Sequence, residues 1–503
     1  MKKILSVIAI IALCCTCSLD YYPETSYNEH NVDVDTESGS QYTTREDIEG
    51  LVETLYSTTF KGNIIQEGDV CDWLIYAESR SDNAYCGSPS TASIAALEAN
   101  THDAANSNIS RDWDYYQDGI SAGNQIICNI DTVRALDSTM SDTEYQEWLS
   151  QGYMAKAYFA YKAAMLWGDI PLLNTIPAAI TAENIEEVYS EYYPPRTSIE
   201  EVYTQLIENL TYAAQYGPEP NSSDKFELSK AFAYGMMARI YAEKTIQDWS
   251  KVAECCQAIE DMGVYSLVDD YGEMFSYGES DAIRNTSEAI FEVQFSTSSG
   301  NWINWMFYRD LLFDPSGSYT WAKWVTPSRN IIAAYEAEGD TERMNANIVQ
   351  DECTWSIYYP SDAYYFMDKF PTKASGIMIM RLGEIYLLHA EALTMLGDLA
   401  SAKEYVDVIR DRAGLSALPS SSTSSQETML QAVLDERRLE LAFEGFRFFD
   451  LRRHDMIAEV HDAMPLEDSY WQTRDPMTEY TEILPVPETV LDNNPNIEQN
   501  PGY

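Results

Sequence analysis

The stretch LDERRLELAFEGFRFFDLRRHD, residues 434–455, gathers positive charge in an otherwise acidic chain. The protein of 503 residues has 32 basic and 81 acidic side chains, and its formal charge is -49. Such a surface repels a phosphate backbone, because nucleic-acid binding depends on clustered Lys and Arg that release counterions. Nucleic acid is therefore a poor candidate for the partner of this stretch. Its arginines are Arg437, Arg438, Arg447, Arg452 and Arg453.

Acidic side chains within the same stretch nearly cancel its positive charge. They are Asp435, Glu436, Glu440, Glu444, Asp450 and Asp455. Arg437 and Glu440 stand three residues apart, a spacing at which side chains meet on one face of a helix. Aromatic and aliphatic residues lie between the charges, which predicts a half-buried segment whose arginine forks bind carboxylates and backbone carbonyls. We interpret the stretch as structural, with a ligand site as the alternative.

The chain begins with MKKILSVIAIIALCCTC, a pattern typical of a signal peptide. Two lysines precede an apolar run that is too short to span a bilayer comfortably. The run ends in cysteines, as in a bacterial lipoprotein signal. Residues 1–17 are therefore predicted to be a lipoprotein signal peptide that includes the lipidated cysteine, and the lipid anchors the protein to the membrane. Cys17 is the expected lipidation site because polar sequence follows it. Cys15 is one alternative, because Thr16 departs from the usual small residue, and simple secretion is another.

The remaining cysteines are too sparse to form a disulfide framework. Cys71 and Cys86 are compatible with one disulfide across a loop, whereas adjacent Cys255 and Cys256 are predicted to be small buried side chains. The segment from Asp33 begins like a calcium loop, but its glycine and glutamate positions do not fit. We expect neither a metal nor a cofactor.

Helical periodicity predicts a mostly α fold with a few short strands. In residues 383–414, two apolar stripes at helical spacing are separated by a turn at Gly397 and Asp398. A similar helix pair is predicted from Leu228 onward. Residues 111–134 and 143–167 are predicted to form another. These tetratricopeptide-like helix pairs form the predicted scaffold, mainly in residues 40–262 and 379–455 of a single domain, 18–503.

Long loop-rich insertions are predicted between the helix pairs. Residues 80–110 and 265–378 are rich in Tyr, Trp, Gly, Ser and Asn. FEVQFS, from Phe291, alternates like a short strand, and the rest of 265–378 is expected to be loop. The proline-punctuated residues 480–503 predict an extended tail that lies on the body.

Several of these motifs together resemble the SusD/RagB family of outer-membrane lipoproteins. They are SLDYYP after the cysteine, WGDIPL at 167–172, the helix ending DVIRDRAG, the block ERRLELAFEGFRFFDLRR and the tail LPVPETVLDNNPNIEQNPGY. The resemblance runs from the lipidation site to Tyr503. It implies a SusD-like fold in which the arginine-rich block belongs to the helical core, in agreement with the charge balance above.

The resemblance also implies a function without catalysis. Members of the family sit on the cell surface of Bacteroidetes, bind oligosaccharide or polysaccharide, and deliver it to a SusC-like TonB-dependent transporter in the outer membrane. We therefore expect a glycan ligand, a transporter partner and a lipid anchor. Peptide binding of the RagB type is the alternative, because family membership alone does not determine the substrate.

Aromatic residues in loop-like sequence are the candidate ligand contacts. Sugars stack their apolar C–H faces on exposed rings while polar side chains bond the hydroxyls. The candidate rings are Trp302, Trp305, Tyr308, Trp321 and Trp324, with Tyr319 among them. A second contribution is expected from the loop SRSDNAYCG through Arg80, Asp82, Asn83 and Tyr85. Trp113, by contrast, is predicted to be a core residue.

Two other classes of protein fit the sequence less well. An enzyme is disfavoured because the chain has five histidines and none of the HExxH, GxSxG or Walker motifs. Any two of its many carboxylates could be nominated as a glycosidase pair by chance. A pure helical adaptor would need neither the lipoprotein signal nor the aromatic insertion.

Overall fold

The computed structural model describes residues 42–87, 91–177, 184–276, 283–307, 324–353, 358–471 and 473–503. The chain divides at Thr44, and residues 44–503 form the second of the two units. The predicted signal peptide with Cys15 and Cys17, and the calcium-like start at Asp33, lie outside the described residues. Within the described ranges, no helix has the length and apolar character needed to cross a membrane.

Helices dominate the structure, so the mostly α prediction is confirmed. Those before residue 262 are α1 (Arg45–Thr54), α2 (Ala92–Glu98), α3 (Ser107–Leu136), α4 (Asp142–Trp167), α5 (Ile185–Tyr192), α6 (Ile199–Tyr216), α7 (Lys230–Ala242) and α8 (Trp249–Asp261). Those after it are α9 (Asn304–Phe307), α10 (Arg329–Glu338), α11 (Thr341–Asn347), α12 (Leu382–Leu396), α13 (Leu399–Arg412), α14 (Gln426–Glu440), α15 (Arg447–Arg453), α16 (Ile457–Glu467) and α17 (Glu488–Asn493). Wider π-helical turns cover Leu55–Thr59, Ile64–Asp72 and Ile75–Ser79.

Short strands form antiparallel pairs. They are β1 (Ala84–Cys86), β2 (Ala289–Val293), β3 (Val325–Pro327), β4 (Ile348–Asp351), β5 (Tyr364–Met367) and β6 (Ile377–Arg381). β1 pairs with β3, β2 with β6, and β4 with β5, and the first two of these pairs join segments that are distant in sequence. Tyr85 lies opposite Thr326 in the first pair.

Consecutive helices pack as the predicted pairs: α3 with α4, α7 with α8, and α12 with α13. The turn after α12 is formed by Gly397, whose φ of 88° suits a residue without a Cβ, and Asp398 then caps α13 through the Ser401 N–H. α3 and α4 approach closely at Gly123, where an added Cβ would lie 2.8 Å from the Gly152 carbonyl oxygen. Short connections and small residues at the contacts therefore set the packing of these helices.

The apolar stripes predicted in residues 383–414 form part of the core. Ala402, Val406 and Ile409 of α13 pack with residues of α12 and with Met429 of α14. Leu396, the last residue of α12, is half exposed because the chain turns at the next position. The core cluster therefore ends one helical turn earlier than the sequence pattern.

The insertions contain more regular structure than the sequence predicted. The strand at Phe291 is confirmed, but the expectation that the rest of 265–378 is loop was wrong. α10 begins at a Ser328 cap and ends at Gly339 with φ 70°, and α11 begins at an Asp340 cap. These helices have few turns, so their periodicity is weak, and β2 and β3 pair with strands that are remote in sequence. Residues 80–110 likewise include β1 and α2.

The C-terminal tail lies on the helical body, as predicted, with α17 as a short helix within it. The Leu484 N–H donates to the Leu166 carbonyl at 2.7 Å, and the Trp167 indole donates to the Pro485 carbonyl at 3.1 Å. Trp113 is buried and packs edge-on against Trp167, which confirms its core assignment. The WGDIPL motif thus anchors the tail.

The cysteines beyond residue 70 are buried, except for the partly exposed Cys128. Cys255 and Cys256 are buried, as predicted. Cys71 and Cys86 are also buried and are not joined by a disulfide. Burial raises the pKa of the Cys71 and Cys256 thiols well above the usual value, which keeps them protonated and unreactive.

Buried ion pairs hold α14 and α15 in the core. Glu440, the last residue of α14, accepts from Arg381 at 2.6 Å and from Arg343 at 3.0 Å, and it pairs with Arg412. Burial alone would raise the pKa of the Glu440 carboxyl, but the guanidinium groups of Arg412, Arg381 and Arg343 hold it well below its usual range. Carboxylate and guanidinium groups this deep are stable only when paired.

The pairing of Arg437 with Glu440 suggested by their spacing was wrong. Arg437 instead forms a fork on Asp450 at 2.9 Å, and Glu440 binds arginines from other elements. Tertiary partners compete successfully because a buried fork excludes water, whereas a pair on one helix face is weak.

Replacing Glu440 by glutamine is expected to lower the free energy of unfolding by about 3 to 5 kcal/mol, because the three arginines would lose their shared carboxylate. Urea unfolding followed by circular dichroism measures the change. Glu427→Gln, in the exposed first turn of the same helix, is the matched control and should shift stability by less than about 0.5 kcal/mol. Equal effects of both substitutions would contradict a central role for Glu440.

Candidate ligand-binding site

Asp82 joins the loop before β1 to the arginine-rich stretch. Its carboxylate accepts from Arg447 at 2.8 and 3.0 Å and pairs with Arg438 at 3.2 Å. Burial alone would raise the pKa of this carboxyl, but the two guanidinium groups hold it well below its usual range. Asp82 is 4% exposed and is thus an internal anchor in this structure.

Asn83 and Arg80, predicted with Asp82 as ligand contacts, are also buried. The Asn83 amide donates to Glu78 at 2.7 Å and accepts from Arg438 at 2.8 Å. The Arg80 guanidinium donates to the Thr481 carbonyl and lies 4.5 Å from the centre of the Phe448 ring. Burial lowers the pKa of Arg80 to about 10. The structure gives these side chains internal partners, and their contact with a ligand stays a prediction.

Tyr85 connects this internal network to the surface. Its ring stacks on Tyr358 at a centroid distance of 4.5 Å and packs at the same distance against Trp471. Its hydroxyl donates to Asp468 and accepts from the Arg329 guanidinium at 3.1 Å. Burial, together with the bond to Asp468, raises the pKa of Tyr85 well above its ordinary value. The buried ring therefore supports a surface group instead of facing solvent itself.

The surface group is Arg329, whose guanidinium contacts two tyrosine rings. Its central carbon lies 4.4 Å from the ring centre of Tyr359 and 3.9 Å from that of Tyr470. The Tyr359 hydroxyl donates to the Pro327 carbonyl at 2.8 Å, which fixes the position of that ring. The Tyr470 side chain is 47% exposed. We call Tyr85, Arg329, Tyr359 and Tyr470 the tyrosine–arginine platform.

Segments from distant parts of the chain position this platform. Arg329 is the first residue of α10 and follows β3 directly after the Ser328 cap. The loop after α16 supplies Tyr470, whose N–H donates to Asp468 at 2.9 Å. Asp468 also lies 3.7 Å from the Arg329 guanidinium. One carboxylate thus ties both exposed members of the platform to Tyr85.

Trp302, Trp305 and Trp324, which we call the tryptophan cluster, lie near one another. The Trp324 N–H donates to the Met306 carbonyl at 3.0 Å, which places β3 beside α9. Trp305, in α9, is 43% exposed, and the Trp302 indole donates to Asn63 at 3.1 Å. Trp321, Tyr308 and Tyr319 lie outside the described residues. A ligand role for the cluster stays a prediction.

Strand β3 brings the tryptophan cluster and the platform into one region. Trp324 precedes β3 and Arg329 follows it, so their Cα atoms are at most about 18 Å apart. The Trp324 carbonyl accepts from Gly87, directly after β1. The sequence-predicted segments around Tyr85 and Trp324 are therefore adjacent, as a shared site requires.

Exposed rings beside fixed polar groups suit non-covalent capture of a polyhydroxylated ligand. The ring faces offer stacking surface, and Asn330, Glu467 and Arg329 offer hydrogen-bonding groups beside them. Within the described residues, no group of His, Cys, Asp and Glu side chains is arranged to hold a metal.

Arg329, Tyr359 and Tyr470 were not among the ligand contacts predicted from the sequence. Tyr359 lies in YYPSD at 358–362 and Tyr470 in EDSYW at 467–471, and both segments combine an aromatic pair with Asp and Ser. The same criterion that selected the tryptophans would have selected them. Arg329 gave no signal of its own, because its neighbours Tyr359 and Tyr470 come from other segments.

A separate cavity of about 90 Å³ lies against the arginine-rich stretch. Its walls include Trp73, Lys162, Arg239, Glu384 and Arg453. Arg239 forms a fork on Glu384 at 2.6 and 2.7 Å, and Lys162 pairs with a buried aspartate. The volume suits a few water molecules and is too small for an oligosaccharide. The ligand-site alternative for the arginine-rich stretch is therefore weaker than the structural interpretation.

Comparison with known proteins identifies relatives along most of the chain. A model of the SusD family matches residues 361–503, and a model described as starch-binding associating with outer membrane matches residues 32–242. SusD-like protein P2 of Formosa agariphila is 25% identical over 435 residues, which cover 79% of this chain and 81% of the relative. SusD-like protein P25 of the same organism is 23% identical, with coverage of 78% and 80%.

Solved structures share the fold. A laminarin-binding SusD-like protein superposes with a TM-score of 0.70 at 21% identity and covers 92% of this chain and all of its own. Surface glycan-binding protein A from Bacteroides thetaiotaomicron, solved with laminarihexaose, has a TM-score of 0.70 at 17% identity and coverage of 91% and 100%. A SusD superfamily protein from Bacteroides vulgatus has a TM-score of 0.73 at 18% identity, with coverage of 91% and 99%.

Removing the Tyr85 hydroxyl by Tyr85→Phe is expected to lower the free energy of unfolding by about 1 to 3 kcal/mol, because Asp468 and Arg329 lose a buried partner. Urea unfolding measures the loss. Tyr470→Phe removes a hydroxyl from an exposed ring of the same platform and should cost less than about 0.5 kcal/mol. If Tyr85→Phe were as stable as Tyr470→Phe, the hydroxyl would not be the support inferred here.

Proposed function

Because this chain belongs to the SusD/RagB family, we propose that it captures oligosaccharide or polysaccharide at the cell surface without catalysis. It then delivers the ligand to a SusC-like TonB-dependent transporter in the outer membrane. The tryptophan cluster and the tyrosine–arginine platform together form the binding surface, and lipid on Cys17 holds the protein at the membrane.

Two exposed aromatic rings carry the proposal that the ligand is a carbohydrate. Trp305 and Tyr470 are both more than 40% exposed, although large rings are ordinarily buried for packing. Trp305 lies in α9 beside Trp324, which precedes β3, and Tyr470 contacts Arg329, which follows β3. A protein whose name states laminarin binding and another that was solved with laminarihexaose share the overall fold.

Capture without catalysis agrees with the support beneath the rings. Tyr85, Asp468 and Arg329 hold the platform in one geometry before a ligand arrives, so little conformational entropy is lost on binding. Stacking on a few rings gives modest affinity, which permits release to a transporter. The outer-membrane association stated for the matching family model supports the location proposed for this chain.

Substituting alanine for Trp305 or Tyr470 is expected to weaken glycan binding by about 1 to 3 kcal/mol, because each ring loses its apolar contact with the sugar face. Calorimetric titration of residues 18–503 against host, plant and microbial polysaccharides, with a peptide digest beside them, measures the affinity. Tyr189→Ala removes a ring that is 45% exposed on α5 and is the matched control.

The titration distinguishes the carbohydrate proposal from its competitors. Binding to a polysaccharide that is weakened by both site variants, and unaffected by Tyr189→Ala, is the expected result. Binding to peptides alone would replace the substrate with that of the RagB type. Glycan affinity that is unchanged in both site variants would move the site away from these rings.

Cys17→Ala is expected to release the protein from the membrane, because the anchor depends on the acyl chains attached to that thiol. Fractionation of cells followed by immunoblotting measures the distribution. Cys15→Ala is the matched control and should leave the protein in the membrane fraction. The opposite pattern would assign the lipid to Cys15, and membrane retention in the double variant would refute lipid anchoring at this signal.

A further inference from the structure

The segments that carry Arg329, Tyr359 and Tyr470 are together acidic. Residues 324–330, 351–365 and 466–471 contain one arginine and five acidic residues. Residues 308–323, which lie between α9 and β3, add two basic and two acidic side chains and therefore no net charge. The acidic residues of the platform segments are Asp351, Glu352, Asp362, Glu467 and Asp468.

The single cation of these segments, Arg329, is already neutralised by protein groups. Its guanidinium donates to the Tyr85 hydroxyl at 3.1 Å and to the Tyr358 carbonyl, and lies 3.7 Å from the Asp468 carboxylate. The rings of Tyr359 and Tyr470 also contact it, at 4.4 and 3.9 Å from their centres. An anionic ligand would have to compete with Asp468 for it, so this arginine adds little attraction for negative charge.

Glu467 places a further negative charge beside the exposed ring. Its side chain is exposed and accepts from the Asn330 amide at 3.2 Å. Glu467 directly precedes Asp468, and Tyr470 follows two residues later. A sugar stacked on the Tyr470 ring is therefore close to the Glu467 carboxylate, and the formal charge of -49 adds long-range repulsion of polyanions.

From this charge arrangement we propose that the platform selects neutral polysaccharides and rejects those that carry carboxylate or sulfate groups. Glu467 and Asp468 are the specificity-determining residues: Glu467 repels the anionic group directly, and Asp468 occupies the guanidinium that would otherwise bind it. This inference rests on the proposed glycan binding and adds the chemical class of the glycan.

The test compares neutral polysaccharides with anionic derivatives of the same backbones. Laminarin, starch and galactomannan are each titrated as the neutral polymer, the carboxymethyl derivative and the sulfate ester, with polygalacturonate and alginate beside them. We expect any neutral polymer that binds to lose at least about tenfold in affinity when it is derivatised, as expected for like charges brought together at an interface. Added salt should reduce this difference, because it screens exposed charges.

Two variants then test the named residues. Asp468→Asn retains a side-chain oxygen for the Tyr85 hydroxyl and removes the charge that neutralises Arg329, and Glu467→Gln removes the exposed charge. Each should raise the affinity for the anionic derivative relative to the affinity for the neutral polymer by about tenfold, a change in preference that a merely structural role would not produce. Glu219→Gln, whose carboxylate is exposed between α6 and α7, changes net charge equally and should alter neither affinity.

Each outcome gives a distinct answer. Anionic derivatives that bind as well as the neutral polymer, or better, would overturn the selection of neutral glycans and leave glycan binding intact. A variant pattern in which Glu219→Gln matches Asp468→Asn would assign the effect to net charge and overturn the role of the two named residues. Absence of binding to every polysaccharide would instead refute the proposed function, and melting temperatures of the variants verify that each one folds.

Discussion

The buried carboxylate of Asp82 is the contact on which the rest of the structure depends. It accepts from Arg447 of α15 and pairs with Arg438 of α14, so it joins the arginine-rich stretch to the loop before β1. A carboxylate at 4% exposure is stable only when its charge is matched within the interior. These contacts fix the position of the loop before β1. They therefore also fix the position of Tyr85 and of the surface groups that contact it.

Hydrogen bonds and ring contacts connect the Asp82 ion pairs to the platform. Asn83, next to Asp82, accepts from Ser328 through its backbone carbonyl at 2.9 Å, which places the start of α10 and therefore Arg329. Tyr85 then fixes Arg329 and Asp468 through its hydroxyl. A surface held in this way loses little entropy when a ligand binds, so a few exposed rings are sufficient for recognition.

The sequence predicted the general architecture because helix pairs depend on local periodicity and turn residues, as at Gly397 and Asp398. The balance of charge in residues 434–455 also predicted that its arginines are internal. Their partners were not predictable, since Arg437 bonds Asp450 instead of Glu440, and such choices depend on elements that meet only in the folded chain. Arg329 was missed for the same reason. Tyr85 was selected as a ligand contact from its loop position, but its ring is buried and supports the groups that are exposed.

The interior use of arginine also explains the chemistry of the exterior. Basic side chains are few in this chain, and Arg381, Arg437 and Arg453 pair with carboxylates inside the protein. Acidic residues outnumber basic residues by more than two to one in the whole chain. Most carboxylates therefore have no buried cation with which to pair, and they remain in solvent. The residues that stabilise the core and those that exclude anionic ligands at the platform are therefore linked. A chain that buries its scarce cations leaves an acidic surface, and neutral sugars are the polymers that such a surface attracts through stacking without electrostatic repulsion.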